Sequence, residues 1–485
     1  MLLTDTTSSP RRWLWLFMAI GLAVVVFFRN LNDAPVADDH AFFENAKQCW
    51  EYGHCTVFSG QFFRPFGSWF WWASVALGGE NVAFHHLLNF VLHGLCTWLL
   101  AEIVLGLTNS KISAAVAAGL FLIHPIHAEA VIWLSSRFDL LATAALLGYL
   151  LIWVKSPQKL SVPNHLLLPI LAFTAIFSKE SGYIVMPLSL VLALCAKREG
   201  GWTAVALTFG TSLVLLGYRF FSIGTFSGGY ENDSSVVEWI SQAYGISAFE
   251  WLLAPINETA GMSSYLMILL RVGMLAPLPF IAWGIWATRK KRIYIPALVL
   301  ILIPPALSGI GYAAGVGLQH GRYHYLPSAG YLIVFGIGFA ALMKNAVGNR
   351  KPSPVIGGAI LVAFLAFGVG HISQSRIWAN AAAFHFSLIE QVKSDLETRL
   401  ILDGKTESTL VLINGPQNAK GAYVFKVADA VIRHYPHGSL RGIEILHEIQ
   451  TEQEFALLRQ PSTYIYLFDW ERLKYIYFDN SPRER

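Results

Sequence analysis

Arg11-Arg12-Trp13-Leu14-Trp15-Leu16-Phe17-Met18-Ala19-Ile20-Gly21-Leu22-Ala23-Val24-Val25-Val26-Phe27-Phe28-Arg29 is a run of apolar residues closed at both ends by arginine, and Asp38-Asp39-His40 follows only a few residues later. Such a run is long enough to cross about 30 Å of hydrocarbon, which takes roughly 17–25 residues. Similar segments recur down the chain, near 84–107, 112–125, 139–154, 165–179, 182–196, 201–218, 264–287, 293–310, 325–343 and 354–371, making eleven expected spans. Composition agrees: of 485 residues 54% are hydrophobic and 14% charged, against about 25% charged in ordinary soluble domains. A soluble globular enzyme is excluded.

The few charges are unevenly spread. Leu388 to Arg485 holds 26 of them in 98 residues, whereas the first 387 residues hold 40. The expected architecture is therefore a polytopic α-helical membrane domain over 1–387, with a first outer loop at 30–83, and a small soluble α/β domain over 388–485. Loop charges alternate. One set holds Arg11, Arg12, Lys111, Lys155, Lys159, Lys197, Arg198, Arg289, Lys290, Lys291, Arg292, Lys344, Arg350 and Lys351, and the positive-inside rule places it in the cytoplasm. Eleven spans then put the N-terminus inside and the C-terminal domain outside. Asp38, Asp39, Glu44, Glu129, Asp139, Glu180, Glu231, Asp233 and Glu258 fall on the outer face. Reading the first span as a signal peptide cleaved near Ala34–Ala37 would reverse this pattern for everything after it.

Cys96 and Cys195 lie inside spans, while Cys49 and Cys55 share the first outer loop. An oxidising compartment permits a bridge there, and the spacing leaves open whether it forms. That loop is too long for a simple connection. Its aromatic segments suggest interfacial helices at 40–52 and 65–78.

Outer loops also carry unusual polar groups at the mouths of spans: Arg64, His124-Pro125-Ile126-His127-Ala128-Glu129, Arg137-Phe138-Asp139, Ser178-Lys179-Glu180, Arg322-Tyr323-His324-Tyr325 and Ser375-Arg376. Ionisable groups at membrane depth are expensive and usually functional. Cations combined with a carboxylate pair suit a phosphate head group and an activated hydroxyl. For each cation taken singly an interfacial snorkelling side chain, and for Asp38 and Asp39 a helix cap, is the plainer alternative, except at Arg322, where the neighbouring tyrosines and histidines favour a functional role. A metal on His124, His127 and Glu129 is disfavoured by Pro125 and by the absence of an HExxH pattern. A divalent ion at Asp38 and Asp39 stays open, and no obligatory cofactor and no nucleic-acid partner are expected.

In this order the segments Asp38-Asp39, Phe63-Arg64-Pro65, His124 to Val131, Arg137 to Ala142, Ser178-Lys179-Glu180, Arg322 to Ser328 and Arg376-Ile377-Trp378 resemble the GT-C glycosyltransferases, most of all the transmembrane-and-TPR O-mannosyltransferases. The resemblance covers about 35–378. The family's 34-residue helical repeat is missing after 388. It implies a polyprenyl-phosphate-linked sugar as donor and an extracytoplasmic protein or glycan as acceptor, at a membrane expected to be a bacterial inner membrane. It further implies Asp38 as base with Asp39 assisting, and Arg322 and Lys179 on the carrier phosphate. Tyr323, Arg137 and Arg64 are candidates for the lipid-phosphate side. His124, His127, Glu129, Glu180, His324, Tyr325 and Arg376 are candidates for the substrate. The expected reaction is single displacement with inversion. A lipid flippase or transporter and an O-antigen-type ligase or polymerase are the rivals; against transport, the polar groups cluster at one surface, without paired broken helices at the midplane.

Beyond 388, Thr409–Asn414 and Thr463–Phe468 read as strands, Ala422–His434 as a helix, and Thr451-Glu452-Gln453-Glu454 as a capping box opening another helix.

Overall fold

The structure, a computed structural model, describes residues 11–53, 55, 58–59, 62–156, 158–225, 253, 262–289, 292–314, 317–346, 354–403, 408–413, 418–419, 422–423, 440–446, 463–469, 472 and 474–478. The chain folds as two compact units, Met1–Leu31 with Thr56–Arg376 and Asn32–Cys55 with Ile377–Arg485. The second unit thus takes in the start of the first outer loop, an association absent from the boundary at 387/388 expected from charge density.

The first unit holds helices α1 (Arg11–Phe27), α3 (Pro65–Gly78), α4 (Val82–Thr108), α5 (Lys111–Leu122), α6 (His127–Ile132), α7 (Arg137–Lys155), α8 (Val162–Ser178), α9 (Val185–Ala196), α10 (Gly201–Ile223), α11 (Ser264–Met274), α12 (Leu278–Thr288), α13 (Ile295–Ala314) and α14 (Tyr325–Ala346). The numbering leaves α2 for Asp39–Tyr52 in the second unit, and α15 is the long helix Pro354–Asp403. The expected hydrophobic segments fall on helices, that at 264–287 on two, α11 and α12. Among the described residues, seven helical stretches are long and apolar enough to cross a membrane, and Lys111–Leu122, Val162–Ser178, Glu180–Ala196 and Ile295–Pro304 are apolar but shorter. An eleven-span count therefore rests on four helices below the usual spanning length. The chain is an integral membrane protein.

Local chemistry sets the helix ends. Asn81 caps α4 by accepting from the Phe84 amide at 3.1 Å, and Asn109, in the left-handed region at φ 56°, ends it. Ser110 opens α5 at once by accepting from the Ser113 amide, so α4 and α5 form a tight hairpin. Helices α12 and α14 cross at Gly284 and Gly338. A Cβ at 338 would lie 1.7 Å from the Phe280 carbonyl oxygen, so the crossing requires glycine. Large apolar side chains of α1, α8 and α10, such as Trp13, Phe17, Leu166 and Phe221, stay exposed, as a hydrocarbon solvent permits.

In the second unit, α2 matches the helix expected over 40–52, as α3 matches that over 65–78. Cys49 near the end of α2 is bonded to Cys55. The C-terminal strands are β3 (Ser408–Ile413), β4 (Asn418–Ala419), β5 (Ala422–Tyr423), β6 (Leu440–Leu446), β7 (Thr463–Asp469) and β8 (Lys474–Phe478); β1 (Phe58–Ser59) and β2 (Phe62–Phe63) form a small hairpin in the first unit. Strands β6, β3, β7 and β8 make one sheet in that order, parallel except for β8. Ala422 and Tyr423 pair antiparallel with β4 instead of starting a helix. The rest of the 422–434 segment and the capping box at 451–454 lie outside the described residues, as do Glu231, Asp233, Glu258, Lys290, Lys291, Arg350 and Lys351.

Candidate functional site

Three ion pairs converge in the first unit. Arg64, just before α3, forks onto Glu180 with Nε and Nη2 at 3.1 and 2.7 Å from Oε2, its guanidinium 4.5 Å from the Phe62 ring centre. Arg219, near the end of α10, puts Nη1 3.7 Å from the same carboxylate. Lys179, which ends α8, pairs with Asp139 in the first turn of α7. Arg322 donates from Nη1 to Glu129 Oε1 at 2.6 Å and from its backbone amide to Oε2 at 2.9 Å. Gly321 makes this second bond possible: a Cβ there would meet the Ile126 carbonyl oxygen at 2.7 Å and block the approach to α6.

Tyr323 joins two of these pairs. Its hydroxyl takes a bond from Arg322 Nη2 at 2.9 Å, and its ring centre lies 4.7 Å from the Arg322 guanidinium and 5.3 Å from Lys179 Nζ. Trp133 lies 4.8 Å from Arg322. Among the described residues of this cluster, Arg64, Lys179, Arg219 and Arg322 face Glu129, Asp139 and Glu180, four cations to three carboxylates. Burial raises the Glu129 pKa, opposed by Arg322. Buried cations of this kind attract an anion, and low dielectric enlarges the effect.

The remaining candidates are placed differently. Arg137 is fully buried and donates to Asn89 Oδ1 at 2.8 Å, Ser74 Oγ at 3.0 Å and the His85 carbonyl at 3.0 Å, with Trp71 4.3 Å away. It braces α3, α4 and α7. His124 and His127 stack at 5.2 Å in the interior, but both oxygens of Glu129 turn to Arg322, so these three do not assemble as a ligand set. His127 Nε2 donates to Ser328 Oγ at 2.7 Å, since that hydroxyl spends its own proton on the Tyr325 carbonyl. Burial and the neighbouring His93, His124 and His371 hold the His127 pKa well below the ordinary value, so the ring is neutral. Tyr325 donates its hydroxyl proton to His93 Nδ1 at 2.7 Å, because His93 Nε2 serves the Leu122 carbonyl. His324 is buried in the 3-10 turn Gly317–His324, and Arg376 is exposed on α15.

In the second unit, Asp38 and Asp39 sit at the start of α2 with different environments. Asp39 is buried and its Oδ2 accepts from the Val36 amide at 3.0 Å, tying the turn together. Asp38 is half-buried and its side chain makes no capping bond. Ala37, immediately before it, is held in the left-handed region at φ 50°, a conformation that costs a residue with a Cβ about 1–2 kcal/mol.

Sequence reasoning missed Arg219, whose signal was a single charge near the C-terminal end of an apolar helix, and the neutral acceptors around Arg137, which have no sequence signature.

No protein-family model matches the chain. It is similar to protein O-mannosyl-transferase F38B6.6 of Caenorhabditis elegans, at 21% identity over 378 residues, covering 68% of this chain and 52% of the relative. The chain spans about half the length, or less, of the curated relatives it matches. Among solved structures it superposes on ArnT from Cupriavidus metallidurans in the apo state with a TM-score of 0.57 at 13% identity, covering 95% of this chain and 94% of the other. It superposes on the oligosaccharyltransferase AglB from Archaeoglobus fulgidus, in complex with an inhibitory peptide and a dolichol-phosphate, with a TM-score of 0.54 at 13% identity, covering 90% and 65%.

Proposed function

We propose that this chain, whose fold is that of the GT-C membrane glycosyltransferases, transfers a single sugar from a polyprenyl-phosphate carrier to a hydroxyl of an extracytoplasmic protein or glycan. The carrying observation is the buried cluster in which Lys179 and Arg322 share the ring of Tyr323, with Arg64 and Arg219 on Glu180 beside it. A sugar phosphodiester brings one negative charge, which cations of this cluster can meet. When the sugar leaves, the carrier becomes a phosphate monoester of higher charge, so cations fixed beforehand favour the transition state over the bound donor. Two further similarities support the reading: the O-mannosyl-transferase named above, and the dolichol-phosphate bound in the AglB structure.

In this reading Asp38 accepts the proton of the acceptor hydroxyl. The oxygen attacks the anomeric carbon, the bond from that carbon to the phosphate oxygen breaks with inversion, and its electron pair departs with polyprenyl phosphate. General-base assistance of this kind is worth about 10²–10⁴-fold. Asp39, committed to the Val36 amide, keeps the turn in place. The N-terminus and the basic loops lie in the cytoplasm, and the acceptor is met on the other side.

The AglB likeness keeps one rival in view, transfer of a whole glycan. The purified chain, given polyprenyl-phosphate mannose and envelope material from a strain lacking it, should add one hexose per acceptor site by mass spectrometry. Addition of a chain would favour the ligase, and unchanged acceptor with relocated lipid would favour transport.

A further inference from the structure

Behind the Asp38 turn lies a contact that joins residues 345 positions apart. His40 Nε2 is 3.1 Å from the Pro35 carbonyl oxygen and 3.2 Å from Nε2 of His385 on α15, and both rings are completely buried. A carbonyl oxygen can only accept, so His40 Nε2 carries the proton. His385 Nε2 must then offer its lone pair to the same N–H, which fixes its proton on Nδ1. The turn between Pro35 and His40 is closed by further bonds: the Asp39 amide to the Val36 carbonyl at 3.1 Å, and the Val36 amide to Asp39 Oδ2. Ala37 at the middle of this turn is held at φ 50°, a strained state that persists only where surrounding contacts over-determine it.

We infer that His385 is a positioning residue: through His40 it holds the strained 35–40 turn in the one conformation that presents Asp38. The inference rests on the reading of Asp38 as base. It assigns a role in the reaction to a histidine far down the chain that belongs to none of the motifs.

The test uses the full-length protein in detergent, with polyprenyl-phosphate mannose as donor and envelope material from a deletion strain as acceptor. His385→Leu keeps the ring's bulk but removes the acceptor nitrogen; His385→Gln restores an acceptor oxygen near the Nε2 position. Expected are a tenfold or greater fall in kcat for His385→Leu with KM for the donor unchanged, and recovery to within threefold for His385→Gln. In an Asp38→Asn background His385→Leu should cause no further loss, a result that a general weakening of the fold cannot produce. If His385→Leu folds poorly, the kcat of His385→Gln against wild type decides instead, and a fall well beyond threefold overturns the positioning role. Wild-type kcat in His385→Leu with an inactive Asp38→Asn overturns the positioning role and leaves the base standing. Independent losses in the double variant also overturn it. Near-normal transfer by Asp38→Asn overturns the base itself, and the positioning role with it.

Discussion

Glu129 and Arg322 show what a buried charge demands of its neighbours. Two charges removed from water recover the cost only with good geometry and further hydrogen bonds, and here the backbone amide of Arg322 supplies one. Glu129→Ala should therefore destabilise by about 3–5 kcal/mol, because it takes away the guanidinium's buried counter-charge. Thermal unfolding in detergent should register this, and the double change Glu129→Leu with Arg322→Met should recover much of it while abolishing transfer. Arg137 makes a parallel case with neutral partners. Arg137→Lys cannot reach Asn89, Ser74 and His85 together, and each lost bond to a charged donor is worth about 1.5–3 kcal/mol. A lowered melting temperature with donor KM unchanged would confirm a brace, and a raised KM alone would return Arg137 to the phosphate.

Between elements, close backbone approach governs. The α12–α14 crossing depends on Gly284 and Gly338, whereas Gly357 on α15 has nothing within 4 Å of its missing Cβ. Gly338→Ala should cost about 1–3 kcal/mol by overpacking, and Gly357→Ala should leave the melting temperature equal or slightly higher. The disulfide acts on the outer loop in a different way, by limiting the freedom of the unfolded segment after α2. Cys49 and Cys55 are six positions apart, and removal of the bond by Cys49→Ser should cost about 2 kcal/mol. Alkylation before and after reduction checks the bond: two additional cysteines should label only after reduction.

At the level of the whole chain, the two units place different chemistry in different hands: the cation cluster belongs to the first, the Asp38 turn to the second. Lipid-facing side chains and basic loops govern how the first sits in a membrane. Reporter fusions at Arg289 and at the C-terminus should show the former in the cytoplasm and the latter outside. The reverse result would remove Asp38 from the side where the acceptor is met.

Hydrophobic segments, charge alternation and the order of the polar motifs were legible from composition and periodicity, because a bilayer imposes one long-range rule on every span. The strands Ser408–Ile413 and Thr463–Asp469 were also legible, as short runs rich in β-branched and aromatic residues. Which cation meets which carboxylate was not: Arg64 with Glu180, Lys179 with Asp139 and Arg322 with Glu129 are separated by 116, 40 and 193 positions. Nor was the tie between His40 and His385. Amino-acid order alone determined a polytopic membrane protein with polar groups at its loop ends, since transfer free energies act on each segment by itself. Only the tertiary structure decided the partners, because a hydrogen bond or ion pair depends on distances of about 3 Å that no single segment contains.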